Sequence, residues 1–251
     1  MNWAGPDSAP RTLLCYARLF VGWTLLALIC LAWSIIALPA FLLLPVRLGT
    51  AFGRAGIRAG FRFFVSVLQF LNIYHFDLKE LDGLRGEAGV ILAPNHPRLI
   101  DALVLLAYHP NLVCIMKTQL RANIFLSAGS RLARYICNIP PRRMIKQAIA
   151  ALHDDGVLLL FPEGTRSRRA PVNECQLTVG AIAKHAQVPV LAVLIETDSP
   201  YLSKGWPLLR VPTRPINYRA RLGRRFNPPT DAQSFTKELE AYFCRELRSP
   251  P

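Results

Sequence analysis

The sequence predicts an α/β fold: a layered domain with a largely parallel sheet, preceded by N-terminal membrane-associated helices. Two observations carry this prediction. Residues 19–46 contain no charged side chain, and from about Tyr74 onward short apolar runs alternate with helical stretches. About 20 apolar residues suffice to cross the hydrocarbon core of a bilayer, and alternating strands and helices are typical of a parallel sheet. The chain therefore divides into a polar lead (1–18), a helical membrane anchor (19–73) and a globular domain (74–251).

The charge-free run is too long for a signal peptide, whose apolar region spans only ~7–15 residues. Pro39 and Pro45 lie near its end. Because proline bends or stops a helix, the run either crosses the bilayer or dips in and returns.

The segment after this run carries Arg54, Arg58 and Arg62 at four-residue spacing, with aromatic residues such as Phe61 and Phe64 lying largely elsewhere. This pattern predicts an amphipathic helix that lies at an anionic headgroup layer. The alternative is a second core helix whose arginines face water. The excess of arginine after the run favours a cytoplasmic position for the globular domain.

The globular domain contains five candidate strands and five candidate helices. The strands are Val90–Pro94, Leu112–Met116, Val157–Phe161, Val188–Ile195 and Ile216–Leu222, and the helices are Leu99–Ala107, Phe125–Tyr135, Met144–His153, Leu177–Ala186 and Asp231–Arg248.

Charge and cysteine usage limit the classes of partner. Thirty Lys and Arg against 16 Asp and Glu give a formal net charge of +14, which indicates anionic partners: nucleic acid, anionic lipid headgroups, or a phosphorylated substrate or carrier. The six cysteines form no Cys-x-x-Cys pair and no zinc spacing, so we expect no metal site and reduced thiols.

The first chemical motif follows the candidate strand Val90–Pro94 and contains Asn95, His96 and Asp101. On one continuous helix, His96 and Asp101 would point about 140° apart. They can meet if His96 lies in the loop and Asp101 in the first helical turn beyond it. A carboxylate bonded to one imidazole nitrogen fixes the tautomer of a general base. A loop histidine that merely packs is the alternative.

The second motif follows the strand beginning at Val157. It places Glu163, Gly164, Thr165 and Arg166 in one short loop. Gly164 permits a tight turn, and Arg166 is suited to grip a phosphate while Glu163 holds Arg166 or contacts a polar head. A solvated turn with a surface ion pair is the alternative. Because both motifs leave the carboxyl ends of strands, we expect them to share one cleft.

At these residues the chain resembles the glycerolipid acyltransferases, the lysophospholipid or 1-acylglycerol-3-phosphate acyltransferases. Asn95-His96 with Asp101 matches the family's Asn-His-x4-Asp block, and Phe161–Ser167 matches its Phe-Pro-Glu-Gly-Thr-Arg-Ser block. The resemblance implies O-acyl transfer by the catalytic domain 74–251 at a membrane.

The resemblance also implies roles for individual residues. His96 would be the base and Asp101 would orient it. Glu163, Gly164, Thr165 and Arg166 would bind the acceptor, with Asn95 beside them and Arg166 on a phosphate. No metal or redox cofactor is implied. The donor would be acyl-CoA or acyl-carrier protein, and the other partners membrane lipids and a lysolipid acceptor.

Departures from the family pattern concern the acceptor. Arg143 is a loose match to the family's second arginine block, Ala192 replaces a proline of the fourth block, and Pro97 and Arg98 replace commoner residues after the histidine. An acceptor other than 1-acylglycerol-3-phosphate, including another lipid or a polyketide-type molecule, therefore stays open.

Two other classes of protein compete with an acyltransferase. A non-catalytic, lipid-binding relative would keep the fold, but His96 and Asp101 are both intact. A membrane-tethered nucleic-acid binder could use the basic stretch Arg210–Arg225, but no nucleic-acid-binding signature accompanies it, so no nucleic acid is expected. A serine hydrolase would need a Gly-x-Ser-x-Gly elbow, which the sequence lacks.

Overall fold

The computed structural model describes residues 9–207, 210–212 and 215–247. The helices are α1 (Ala9–Leu43), α2 (Val46–Phe70), α3 (Asp101–Leu106), α4 (Thr118–Arg121), α5 (Ser127–Leu132), α6 (Pro141–His153), α7 (Thr178–Ala186) and α8 (Ala232–Glu246), with a 3-10 helix at Lys79–Gly86. The strands are β1 (Tyr74–Asp77), β2 (Val90–Pro94), β3 (Leu112–Met116), β4 (Ile136–Cys137), β5 (Val157–Leu159), β6 (Val190–Thr197) and β7 (Ile216–Phe226).

Within the described chain these strands form one seven-stranded sheet in the order β1-β7-β6-β2-β5-β3-β4. Strands β6, β2, β5, β3 and β4 are parallel, whereas β7 pairs antiparallel with β6 and parallel with β1. This confirms the α/β class and the largely parallel sheet. The sequence missed β1 and β4, since strands of four and two residues show too little alternation to be recognised.

The sheet separates two apolar layers because successive side chains of a strand point to opposite faces. Val90 and Leu92 of β2 face the layer that contains Phe64 and Leu68 of α2. Ile91 and Ala93 face the layer formed with α6, α7 and α8. The N-terminal helices thus pack on one face of the sheet, together with α3 and the 3-10 helix.

Helices α1 and α2 form an antiparallel hairpin, in which Gly56 lies against Trp33 and Gly22 lies against Leu68. The chain turns at Pro45, which directly precedes α2, while Pro39 lies inside α1. Helix α1 also begins at Ala9, so the predicted polar lead of residues 1–18 is helical from there on; residues 1–8 lie outside the described chain. The helix extends backwards because the stretch before the apolar run contains good helix formers such as Leu and Ala.

The arginine side of α2 packs against the globular domain, contrary to the prediction that it meets lipid headgroups. Arg54 Nε donates to the carbonyl of Ala133 over 3.2 Å, and its Nη1 also contacts the side chain of Asn111. Arg62 lies 5.8 Å over the ring of Tyr108. The arginines turn inward because the globular domain offers carbonyls and an aromatic face that charged guanidiniums bind well.

The outer surface of the hairpin is apolar. Its exposed side chains include Phe20, Ile35, Leu42, Leu43, Leu48, Phe63 and Phe70. Leu13–Leu43 is long and apolar enough to cross a membrane, and little of it is buried. A soluble protein rarely exposes so large a contiguous apolar patch, so this surface could be membrane-associated.

Candidate active site

His96 and Asp101 meet in the arrangement that the sequence predicts. His96 lies in the loop after β2, and Asp101 is the first residue of α3. His96 Nδ1 lies 2.9 Å from Asp101 Oδ2, which also accepts a hydrogen bond from the Arg98 amide over 2.7 Å. The Asp101 side chain is 0% exposed, whereas that of His96 is 16% exposed. The imidazole is therefore anchored through Nδ1, which leaves Nε2 as the nitrogen for a substrate.

The second oxygen of Asp101 is held by a residue that no sequence motif indicates. Tyr218, near the start of β7, donates its hydroxyl hydrogen to Asp101 Oδ1 over 3.0 Å. Burial, and then the charge of Asp101, raise the pKa of Tyr218 well above its ordinary value. The phenol thus stays protonated and remains a donor. Residues 117 positions apart meet here because β7 runs antiparallel to β6, so its start lies at the carboxyl rim of the other strands.

Glu163 joins the two motif loops. Its Oε1 accepts hydrogen bonds from the His96 amide over 2.9 Å and from the Ser167 hydroxyl over 2.7 Å, and its Oε2 accepts one from the Asn173 amide over 2.8 Å. The Ser167 amide in turn donates to the His96 carbonyl over 2.8 Å. The structure thus brings the two motifs to one rim of the sheet. With 3% of its surface exposed, Glu163 serves the chain's own donors, not the guanidinium of Arg166 as one sequence interpretation had it.

The rest of the second motif is tied to the loop between β6 and β7. Arg166 Nη1 donates to the carbonyls of Leu202 and Ser203, each over 3.0 Å. Lys204 Nζ donates to the Thr165 hydroxyl over 2.7 Å. Gly164 has φ +64°, and an added Cβ would lie 2.4 Å from the side chain of Gln176, so only glycine fits this turn. Sequence reasoning missed Lys204, which belongs to neither motif.

Asn95 and Arg143, the two other residues predicted to contact the substrate, lie at different places in the fold. Asn95 is buried, and its amide group bonds both the carbonyl and the amide of Ile195, over 2.9 and 2.7 Å, which ties β2 to β6. Arg143 is exposed in the first turn of α6. This turn follows β4, at the edge of the sheet, with β5 and β3 between it and the strand that carries His96.

Comparison with known proteins identifies the domain that holds this site. Residues 75–196 match the family model described as Acyltransferase. Residues 75–196 form a domain of the acyltransferase family. A comparison with curated proteins finds no match.

The fold of this acyltransferase is similar to that of the 1-acyl-sn-glycerophosphate (LPA) acyltransferase PlsC from Thermotoga maritima. The two share 19% sequence identity with a TM-score of 0.70, over 94% of this chain and 95% of that chain. Because the match extends over nearly the full length, it includes the N-terminal helices as well as the sheet.

The rim of the acyltransferase beside Thr165 is strongly basic. Partial desolvation, and then the charges of Arg168, Lys117 and Arg166, lower the pKa of Lys204. Cations crowd together at a cost in repulsion that an anionic ligand relieves. This cluster of Arg166, Lys117 and Lys204 is thus suited to hold an anion.

An apolar cavity of about 160 Å³ lies between the hairpin and the sheet. Trp33 and Phe61 line it from the hairpin, Leu103 from α3 and Met116 from β3. Ala102 and Leu103, which follow Asp101 in α3, line this cavity, so it lies close to the His96 loop. Such a cavity fits an acyl chain and not a polar ligand.

Proposed function

We propose that the acyltransferase transfers a fatty acyl group from acyl-CoA or acyl-carrier protein to the hydroxyl of a lysophospholipid-type acceptor, with 1-acylglycerol-3-phosphate as the default. The observation that carries the proposal is the bond between His96 Nδ1 and the fully buried carboxylate of Asp101. It fixes the tautomer in which Nε2 is free to accept a proton, as a general base requires.

In the proposed reaction, His96 Nε2 takes the proton of the acceptor hydroxyl as its oxygen attacks the thioester carbonyl carbon. The new C–O bond forms, the C–S bond breaks, and the imidazolium returns the proton to the leaving thiolate. The Asp101 carboxylate stabilises the imidazolium that forms between these steps. The hydrogen bonds from Arg98 and Tyr218 keep that carboxylate oriented.

The basic cluster supports a phosphorylated acceptor. Arg166 and Lys204 lie in the same region as the proposed base because the second motif is bonded to the His96 loop. Arg grips phosphate through parallel hydrogen bonds, and Lys adds a point charge. A lysolipid placed with its phosphate there would bring its free hydroxyl toward His96.

The hairpin supports membrane attachment. Its exposed apolar surface would enter the bilayer, and the apolar cavity lies against the same hairpin. Lipid substrates would then reach the site without crossing water. The proposed orientation keeps the globular domain on the cytoplasmic side, which protease protection in sealed vesicles of known orientation would test.

The decisive experiment is an acyl-transfer assay on the full chain in phospholipid nanodiscs. Labelled acyl-CoA is offered with a panel of lysolipids and other hydroxyl acceptors. Wild type should form labelled product, and His96→Ala should lose at least ~100-fold in rate. His75→Ala, at an exposed histidine on β1, is the matched control and should keep full rate.

The same assay separates the alternatives. Transfer to a different lipid or polyketide-type acceptor would leave the proposed mechanism in place, but 1-acylglycerol-3-phosphate would no longer be the proposed acceptor. A non-catalytic lipid-binding protein would bind lysolipid but show no transfer in either wild type or His96→Ala, which would overturn the proposed function.

A further inference from the structure

A second cavity lies beside the His96 loop. It has a volume of about 520 Å³, and the residues that flank His96, Asn95 and Pro97, form part of its wall. Arg98, Arg168 and Arg169 also line it, and it extends to Leu247 beyond α8. We call this cavity the basic cleft.

The basic cleft carries an excess of positive charge. Arg168 and Arg169 are exposed on one side, and Arg98 lies on the other. Glu196 supplies the one carboxylate among the described residues that line the cleft. This carboxylate is already paired with Arg221, whose Nε lies 3.5 Å away. Arg98 donates to the carbonyls of Ser199 and Pro97, whereas no carboxylate from the described part of the cleft neutralises the guanidiniums of Arg168 and Arg169, which suits a ligand with one or more phosphates.

The wall that holds Arg168 and Arg169 is fixed in advance of binding. Their backbone amides both donate to Asn173 Oδ1, over 3.0 and 3.3 Å. The Asn173 amide donates to Glu163 Oε2 over 2.8 Å, and Glu163 accepts the His96 amide. The loop that carries the two guanidiniums is thus connected to His96 by hydrogen bonds through Asn173 and Glu163. A preorganised loop loses less entropy when a ligand binds.

The basic cleft and the apolar cavity are lined by different residues, the cleft by Asn95 and Pro97 next to His96 and the cavity by Ala102 and Leu103 next to Asp101. None of the described residues of the hairpin lines the basic cleft, whereas Trp33 and Phe61 of the hairpin line the apolar cavity. Among the described residues, the cleft is thus lined by the globular domain alone, whereas the cavity lies against the hairpin that is proposed to enter the bilayer. A molecule with an apolar chain at one end and a water-soluble, phosphorylated group at the other would place its central linkage at His96.

From this arrangement we infer that the basic cleft binds the phosphate-bearing carrier group of the acyl thioester donor, with Arg168 and Arg169 as its specificity-determining residues. CoA and the prosthetic arm of an acyl-carrier protein both contain a pantetheine phosphate. The inference rests on the proposed function, because it assigns the donor to the same catalytic site.

The test uses the full chain in nanodiscs and three donors: acyl-CoA, acyl-carrier protein, and an S-acyl-N-acetylcysteamine that has no phosphate. Arg168→Gln with Arg169→Gln removes two charges from the cleft and keeps the backbone bonds to Asn173. Lys184→Gln with Lys237→Gln removes two exposed charges from α7 and α8 and is the matched control. Binding of CoA alone is measured by calorimetry alongside turnover.

The arginine variant should weaken CoA binding and raise KM for phosphorylated donors at least about tenfold, since losing one hydrogen bond to a charged group already weakens binding by about that factor. Its rate with the phosphate-free thioester, and both properties of the lysine control, should stay near wild type. An effect on acyl-CoA alone would locate the nucleotide phosphates in the cleft; an effect on acyl-carrier protein as well would locate the pantetheine phosphate there.

Three results would overturn the inference: unchanged CoA binding, an equal loss with all three donors, or a higher KM for the lysolipid with an unchanged KM for acyl-CoA. The last result would mean that the cleft holds the acceptor headgroup. The binding measurement also separates the two proposals. CoA binding that depends on Arg168 and Arg169 without any transfer by wild type would remove the proposed function and leave the anion site.

Discussion

Tyr218 donates a hydrogen bond over 3.0 Å to the oxygen of Asp101 that does not face His96. Asp101 is fully buried and Tyr218 is 1% exposed, so no water replaces this donor. The strand β7 therefore reaches into the catalytic site although it runs against the strands that carry the motifs. We propose that Tyr218 is a positioning residue that acts through Asp101.

Tyr218→Phe should lower kcat about tenfold, which corresponds to 1.4 kcal/mol, and leave KM for both substrates unchanged. The carboxylate would lose one of its donors and hold the imidazole less firmly. The matched control is Tyr74→Phe, because the hydroxyl of this neighbouring buried tyrosine has no hydrogen-bond partner within the described chain. Equal kinetics of the two variants would show that Tyr218 serves packing only.

Glu163→Gln should lower kcat and stability together. Both carboxylate oxygens accept hydrogen bonds from the chain, and an amide would turn one acceptor into a donor that faces a donor. The expected loss of stability is about 2 kcal/mol, measured as a lower thermal midpoint in nanodiscs. Glu174→Gln, an exposed neighbour, should behave as wild type. A variant with normal stability and only a higher KM for the acceptor would instead support the substrate-binding role that the family resemblance implies.

Gly53→Ala should loosen the hairpin from the globular domain. A Cβ at Gly53 would lie 2.7 Å from the backbone nitrogen of Ala133, and backbone cannot move aside as a side chain can. Overpacking of this kind costs about 1–3 kcal/mol, so we expect a lower midpoint of thermal unfolding.

Gly22→Ala is the control for this prediction. Its added Cβ would meet only side-chain atoms, at 3.5 and 3.6 Å, and alanine in a helix is favoured over glycine by about 0.5–1 kcal/mol. It should therefore stabilise the protein slightly. If Gly53→Ala were as stable as Gly22→Ala, the close contact between α2 and α5 would not be a determinant of stability.

Stability should fall in mild acid because of His109. Its Nε2 donates to the Glu87 carbonyl over 3.0 Å and its Nδ1 accepts from the Asn111 amide over 3.1 Å, which requires the neutral ring. Burial, and next the nearby charges of Arg58 and Arg54, outweigh Glu87 and lower the pKa of His109 below its ordinary 6.5. A lowered folded-state pKa gives stability that is present above pH 6.5 and lost as pH falls through the folded value.

His109→Gln should accordingly flatten the dependence of the unfolding midpoint on pH between about pH 7.5 and 5, although it lowers the midpoint at neutral pH. His75→Gln, at an exposed site, should retain the wild-type slope. An unchanged slope in His109→Gln would assign the acid sensitivity to another group.

Much of the site could be predicted from local sequence. Asp101 could be placed in the first helical turn because Pro97 interrupts the chain four residues earlier, and Gly164 marked a tight turn. The arginines of α2 were a different case. Their four-residue spacing shows that Arg54, Arg58 and Arg62 share one side of a helix, but the spacing carries no information about whether lipid or protein lies against that side.

The sequence by itself determined the apolar N-terminal helix, the α/β alternation and the two motifs at the ends of β2 and β5. These features follow from composition and from contacts between near neighbours in the chain. Only the tertiary structure decided that Tyr218 supports Asp101, that Glu163 holds the His96 loop, and that Lys204 joins the second motif. The reason is physical: these contacts join residues far apart in sequence, and the direction and register of β6 and β7 bring them together.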